Sequence, residues 1–417
     1  METVAENKAG FQKTKIGWIP DNWSLKRLND VADVKRGAGS QYLKYVKENS
    51  ANNIRLIRIG DFLGTAEVKY IEYTENIKRF RISEGDLLIA GTGATAGITF
   101  LVSKEYHDLA FSYNAPRIRT KESIDNHFLY QMLKSELILR QQHALFTGNA
   151  QPFLDTKAIS NFKLPIPPIE EQKKISEILS TWDAAITDTQ NLIQQLKLRK
   201  KGLMQQLLSG KKRLSGFDGE WEEVSLGDIT NRVTDKNDEL NDNVVTISAQ
   251  RGFVRQEEFF NKRVASKTLS GYYLLKKGQF AYNKSYSNGY PMGAFKRLDD
   301  FDKAVVTTLY VCFEAVENKV NSDFLLNYFE AGLMNKGLTR IAQEGGRAHG
   351  LLNIGLSDFF GLTLSVPTLE EQTAIASVLN NAEIEIKAQE QKLKELNAQK
   401  KGLMQQLLTG QKRVSLK

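Results

Sequence analysis

Residues 200–210 read KKGLMQQLLSG and residues 400–410 read KKGLMQQLLTG, with Ser209 against Thr409 as the only difference. The match extends to Lys212-Arg213 against Lys412-Arg413 and to Ser215 against Ser415. Upstream, Pro167, Glu170, Glu171 and Gln172 recur as Pro367, Glu370, Glu371 and Gln372. A period this long marks duplicated domains and excludes a solenoid of short repeats. The chain therefore has the form A–B–A′–B′, with B and B′ near copies while A and A′ differ.

Each B segment reads as one long helix. Steps of four and three residues from Ile175 meet Leu179, Trp182, Ile186, Thr189, Ile193, Leu196, Lys200, Leu203 and Leu207. The same walk from Ile375 meets Leu379, Ala382, Ile386, Gln389, Leu393, Leu396, Lys400, Leu403 and Leu407. That alternation is the heptad seam of a coiled coil. Pro167-Pro168 and Pro367 set the starts, and the Glu-Glu pairs in the first turns suit the positive end of the helix dipole. Gly210 and Gly410 set the stops. From Pro168 to Leu208 is about 40 residues, so each rod is about 60 Å long at 1.5 Å per residue.

The A segments share a lead-in. Trp23, Leu28, Asp30 and Val31 are matched in spacing by Trp221, Leu226, Asp228 and Ile229. The two tryptophans read as core anchors beside the helix ends. The body of the first A segment holds short strand-like runs at 53–59, 86–90, 97–102 and 115–118, then a helical pattern over 123–145. Asn321–Ile341 reads as helical in the second. A loop at 148–151, or at 345–350, and a strand-like run lead into each rod. The glycine-rich Gly91–Gly97 stretch is followed by another strand-like run and lacks a Gly-Lys-Ser/Thr. It fails as a phosphate loop and reads as a tight loop in a sheet, or one whose bare backbone approaches DNA. Tyr282–Tyr290 interleaves tyrosine with Asn, Lys and Ser, a composition that suits contact with bases and phosphates. A polar loop with its tyrosines packed at a domain edge satisfies the same composition.

Catalytic constellations are missing from the pattern. His107, His127, His143 and His349 form no i,i+4 metal pair. Asp61 with Glu67 and Lys69 only faintly echoes a metal-dependent nuclease triad. Cys312 is the single cysteine, which excludes an internal disulfide. The net charge of +8, from 57 basic and 49 acidic residues, permits nucleic-acid binding without requiring it. With no apolar leader and no stretch of 18 apolar residues, the cytoplasm is the expected location.

The tandem Pro-x-x-Glu-Glu-Gln…KKGLMQQLL blocks and the GWIPDNW and GEWEEVSLGDI lead-ins make the whole chain resemble the specificity (S) subunit of type I restriction–modification systems. The resemblance implies an α+β fold: two α/β target-recognition domains, separated and joined by two long antiparallel coiled-coil helices, in a pseudo-twofold internal repeat. The corresponding segments are 1–166 and 211–366 for the recognition domains, and 167–210 and 367–417 for the spacer helices and tail. It further implies a non-catalytic subunit that reads a bipartite site in double-stranded DNA. Two modification (methyltransferase) subunits would dock on the helices, with restriction (translocase/endonuclease) subunits joining the complex. No cofactor is expected in this chain; S-adenosylmethionine, ATP and Mg²⁺ belong to those partners. Side-chain chemistry nominates Arg79, Arg81, Thr92, Thr95 and Gln151 in the first domain as DNA contacts, and Asn283, Lys284, Tyr286, Arg347 and His349 in the second. A stand-alone DNA-binding regulator, a nuclease and a coiled-coil scaffold are the rival readings.

Overall fold

A computed structural model describes residues 8–416 apart from 65–66, 147–151, 263, 267 and 343–351. The chain forms two compact units, Met1–Gln190 with Lys392–Lys417, and Asn191–Gln391. The first is thus built from two stretches far apart in sequence. The sequence segments divide at the ends of the long helices, whereas the compact units divide within them.

The two long helices run Ile169–Leu207 and Leu369–Leu407, 39 residues each. The backbone N–H groups of Glu171 and Gln172 bond the Pro168 carbonyl and open the first turn. At the far end Gly210 takes φ +67° and Gly410 φ +70°, which a residue with a Cβ adopts only with strain. The chain folds back there, Lys212 N–H reaching Gln206 O and Lys412 N–H reaching Gln406 O, both at 3.1 Å.

In the first unit, the start of the first long helix lies antiparallel to the end of the second. Asp183 meets Lys400, and Glu171 meets Arg413, so one number falls as the other rises. Ile175, Leu179, Leu407 and Leu408 join one core with Trp23, Phe128, Leu129 and Met132. The second unit repeats the scheme on its own residues. Lys200 pairs with Glu383, Lys197 with Glu390 and Arg213 with Glu371. Leu207, Leu208, Ile375 and Leu379 share a core there with Phe324, Phe359 and Phe313. The seam lysines are polar because each faces an acid across the helix pair.

Both units carry a four-stranded antiparallel sheet with the same strand order. In the first it is Ala32–Lys35, Arg117–Thr120, Leu87–Ile89, Thr99–Leu101. In the second it is Thr230–Arg232, Val311–Ala315, Phe280–Asn283, Ala294–Arg297. The first unit adds a second four-stranded sheet, Ala110–Phe111, Asn53–Ile57, Lys69–Glu72 and Tyr45–Val46, with one parallel pair. The second unit instead adds two separate strand pairs, Val245–Ser248 with Gly252–Arg255 and Tyr273–Lys276 with Lys303–Val306.

The helical pattern over 123–145 resolves into two helices, Asn126–Leu133 and Glu136–Phe146. Asp125 caps the first by accepting from Phe128 N–H. Ser135 separates them, its N–H and hydroxyl both bonding back to Met132 O while its own carbonyl receives Ile138 N–H. Asn321–Ile341 likewise divides into Ser322–Glu330 and Asn335–Ile341, at Gly332 with φ +70°.

The repeated Glu-Glu-Gln motif has a physical task. Glu171 is buried, accepts the Trp23 indole N–H at 3.0 Å and receives two guanidinium hydrogen bonds from Arg413 at 2.7 and 2.8 Å. Glu371 is held by Arg213 in the same bidentate manner, both bonds at 2.6 Å. Gln172 bonds Pro167 O and Asp125 N–H, tying the helix start to the neighbouring helix, and Gln372 does the same with Pro367 O and Asn321 N–H. Trp23 is thereby a core anchor, and Trp221 is partly buried against Phe324 and Gly210.

Two stability effects follow. Glu171→Gln removes a buried charge from a half-exposed Arg413, so it should cost about 1–3 kcal/mol, read as a lower urea midpoint. The Glu171→Ala/Arg413→Ala pair should cost less than the sum of its single changes. Burial pushes the Asp183 carboxyl up, but hydrogen bonds from Lys400 and Gln131 and the charge of Lys134 outweigh it and hold it below the usual range. Lys400 bears the burial cost, its ammonium lying below the ordinary lysine range. A lowered carboxyl stabilises above its unfolded value near ~4 and loses that contribution as pH falls. Asp183→Asn should therefore weaken the fold at neutral pH, with the gap to the parent closing as pH falls below about 5 and on through the lowered range of the folded carboxyl in denaturation curves.

Candidate nucleic-acid interface

In the first unit, loops at the ends of the strands converge. Residues 37–39 run beside 111–113: Ala38 N–H bonds Phe111 O and Tyr113 N–H bonds Ala38 O. Gly37 permits this approach, because a Cβ there would press into the Phe111 and Ser112 carbonyls. The Gly91–Gly97 loop is stitched to both sides. Gly91 N–H bonds Asn114 O at 2.8 Å, Leu154 N–H bonds Gly91 O at 2.7 Å, and Gly93 N–H bonds Pro152 O at 3.1 Å.

These bonds bring Arg36, Tyr113 and Phe153 together. The Arg36 guanidinium lies 4.5 Å from the Tyr113 ring centre and 5.9 Å from that of Phe153, and donates to the Tyr113 hydroxyl. Tyr113 is 42% exposed and Phe153 47%. Large exposed rings backed by arginine suit stacking on bases and contact with phosphate. Beside them opens a cleft of about 780 Å³ lined by Ser40, Gln41, Tyr45, Arg58, Tyr113 and Asn114.

The sequence-nominated residues distribute unevenly. Thr92 pairs with Phe153 across the loop, and Thr95 points its hydroxyl back at Thr92 O, so both belong to this surface. Arg79 is exposed and lies 4.9 Å from the ring centres of Tyr42 and Phe80. The charge of Arg81 is matched by Asp108, and its Nε also bonds the Asp108 carbonyl. Gln151, Arg347 and His349 lie outside the described residues. Arg36, Tyr113 and Phe153 escaped the sequence reading. Tyr113-Asn114, an aromatic beside an amide just after a strand, carries the composition that singled out Tyr282–Tyr290.

In the second unit, Leu352 N–H bonds Lys284 O at 3.0 Å, the counterpart of Leu154 on Gly91. In each case the donor precedes a short helix, Thr156–Ser160 or Leu356–Phe360, that leads into the strand before a rod. Ser287 and Tyr290 exchange backbone hydrogen bonds, making a hairpin turn with Asn288-Gly289 at its tip and Gly289 at φ +80°. Gln250 steadies that tip through the Asn288 carbonyl at 2.9 Å. Asn283 accepts from Ser285 N–H, Asn283 and Lys284 are half-buried, and Tyr286 is 64% exposed. Exposed Arg251 stands next to Gln250.

The nuclease triad does not assemble. Asp61 accepts from Arg58 N–H and pairs with Arg55 at 3.1 Å, closing its own turn. Glu67 pairs with Lys69, whose hydrogen bond and charge hold the carboxyl below its usual range. Among the described residues no three His, Cys, Asp or Glu gather as metal ligands, and no helix is long and apolar enough to cross a membrane.

The family model of the type I restriction modification DNA specificity domain matches twice, over residues 20–198 and 218–398. The putative type I restriction enzyme MjaX specificity subunit of Methanocaldococcus jannaschii is 26% identical across 97% of both chains. The MjaVIII specificity subunit of the same organism is 30% identical over 224 residues, 52% of each chain, so that match spans about half the relative's length. The crystal structure of a type I S subunit from M. genitalium aligns over 95% of this chain and 97% of that one, with a TM-score of 0.55 and 14% identity. A chain from a structure of type I complex assembly and conformational transition gives 0.53, covering 94% and 99% at 16% identity. These two likenesses speak to the fold. Matched in tandem over most of its length, the chain belongs to the type I restriction–modification DNA specificity family, whose members recognise sequence for their system and are not its catalysts.

Proposed function

We propose that each unit reads one half of a bipartite site in double-stranded DNA through its convergent loops. One observation carries this reading. Both units lay the segment before the short helix across the loop that follows one sheet strand, Leu87–Ile89 in the first and Phe280–Asn283 in the second, on matching frames, yet display different side chains. The first offers Arg36, Tyr113, Asn114 and Phe153; the second offers Gln250, Arg251 and Tyr286. Different half-sites require different base-edge contacts, while a shared frame suits a shared partner.

On this reading two modification subunits dock on the near-identical helical segments, and restriction subunits join where the system has them. S-adenosylmethionine, ATP and Mg²⁺ act on those partners, and the complex works in the cytoplasm. The family membership removes the ground for a stand-alone regulator, and the pairing of Asp61 with Arg55 and of Glu67 with Lys69 speaks against a nuclease. The continuous 39-residue helices are the elements that would set the unread spacer between half-sites.

Deleting the gene should abolish adenine methylation at one split motif in a genome-wide map; methylation unchanged at every motif would overturn the reading. Removing one heptad from each long helix takes out about 10 Å, so the spacer should shorten by about 3 base pairs in the same map. A spacer of parental length in a complex that still methylates would remove the helices from that role.

A further inference from the structure

Tyr290, at the base of the second unit's hairpin, donates its hydroxyl to Glu330 Oε2 at 2.8 Å. Glu330 closes the helix Ser322–Glu330 and accepts on its other oxygen from Lys296, in the strand Ala294–Arg297. Lys296 is only 7% exposed; its ammonium lies 3.3 Å from the Tyr290 oxygen and 4.7 Å from the ring centre. Burial and the adjacent carboxylate hold the Tyr290 hydroxyl protonated far beyond the ordinary range, so it remains a donor.

A buried lysine is a costly way to join a strand to a helix, since apolar side chains do so without desolvating charge. Its burial also keeps Lys296 from reaching a phosphate. What the pair adds is direction: a carboxylate oxygen aimed at one hydroxyl of one loop residue. Through the Ser287–Tyr290 backbone bonds, fixing Tyr290 fixes the turn and the exposed Tyr286 before it, while Gln250 steadies the tip.

We infer that Glu330 and Lys296 are positioning residues for DNA reading, clamping Tyr290 so that the Tyr286–Gly289 loop meets the second unit's half-site in one fixed geometry. The inference rests on the reading of this unit as a DNA-recognition domain. It assigns specificity to two framework residues that touch no base.

The test uses the full chain assembled with its modification subunit, and duplexes bearing the methylated motif with one base pair changed at a time. In the parent, each wrong pair should weaken binding by roughly 5- to 100-fold. Tyr290→Phe keeps the ring and the buried ion pair and removes the hydroxyl that bonds Glu330 and Lys296. It should reduce the penalties to about twofold on one side of the spacer, leave the other side unchanged, and lower the melting temperature by less than Glu330→Gln does. Glu330→Gln should flatten the same side and lower the melting temperature, because Lys296 loses its counter-charge. Arg36→Ala should act on the opposite side. Full parental penalties on both sides in a folded Tyr290→Phe complex would overturn the clamp. A parent that discriminates at no split motif would overturn the DNA reading beneath it, so the two failures are separable.

Discussion

The structure depends on a buried glutamate that receives an arginine from the far end of the other long helix. Glu171 and Glu371 each stand in the first turn of a rod, where the helix dipole favours a carboxylate and burial makes an unpaired one expensive. Arg413 and Arg213 satisfy them in bidentate fashion, the geometry that a guanidinium provides and a lysine does not. The neighbouring glutamines carry the order outward, holding the first residues of the helices that begin at Asn126 and Ser322. The turns at Gly210 and Gly410 are then forced, since the chain must double back to deliver its arginine.

Much of this frame is legible in the sequence because its signals are local and doubled. The heptad seam, the prolines at the starts and the glycines at the stops each act within a few residues, and each appears twice. The observed helices, Ile169–Leu207 and Leu369–Leu407, follow that seam, with Ile175, Leu179, Ile375 and Leu379 fully buried. The break at Ser135 was hidden because apolar spacing continues through it, while the serine's bonds to Met132 depend on packing that periodicity does not report.

The proposed recognition surface is harder to read for a different reason. Arg36, Tyr113 and Phe153 are far apart in sequence and meet only through backbone bonds among four loops. Composition drew attention to Arg81, but Asp108, which matches its charge, lies outside any pattern a sequence displays. At Tyr282–Tyr290 composition does not distinguish an exposed side chain from an anchored one. Tyr286 is outside and Tyr290 is tied down, though both are tyrosines beside small polar residues.

The division of the chain also sets an order of assembly. The second unit, Asn191–Gln391, is continuous and has all its residues once they are synthesised, whereas the first needs Lys392–Lys417 to complete it. During synthesis from the N-terminus, the apolar face of Ile175 and Leu179 therefore waits without Leu407 and Leu408, and Glu171 waits without Arg413. Contacts this distant in sequence are slow to form and leave sticky surface exposed in the meantime. Of the two units, the one that begins earlier in the chain is thus the later to close, and removing Leu407, Leu408 and Arg413 would uncover the core and the buried carboxylate they cover.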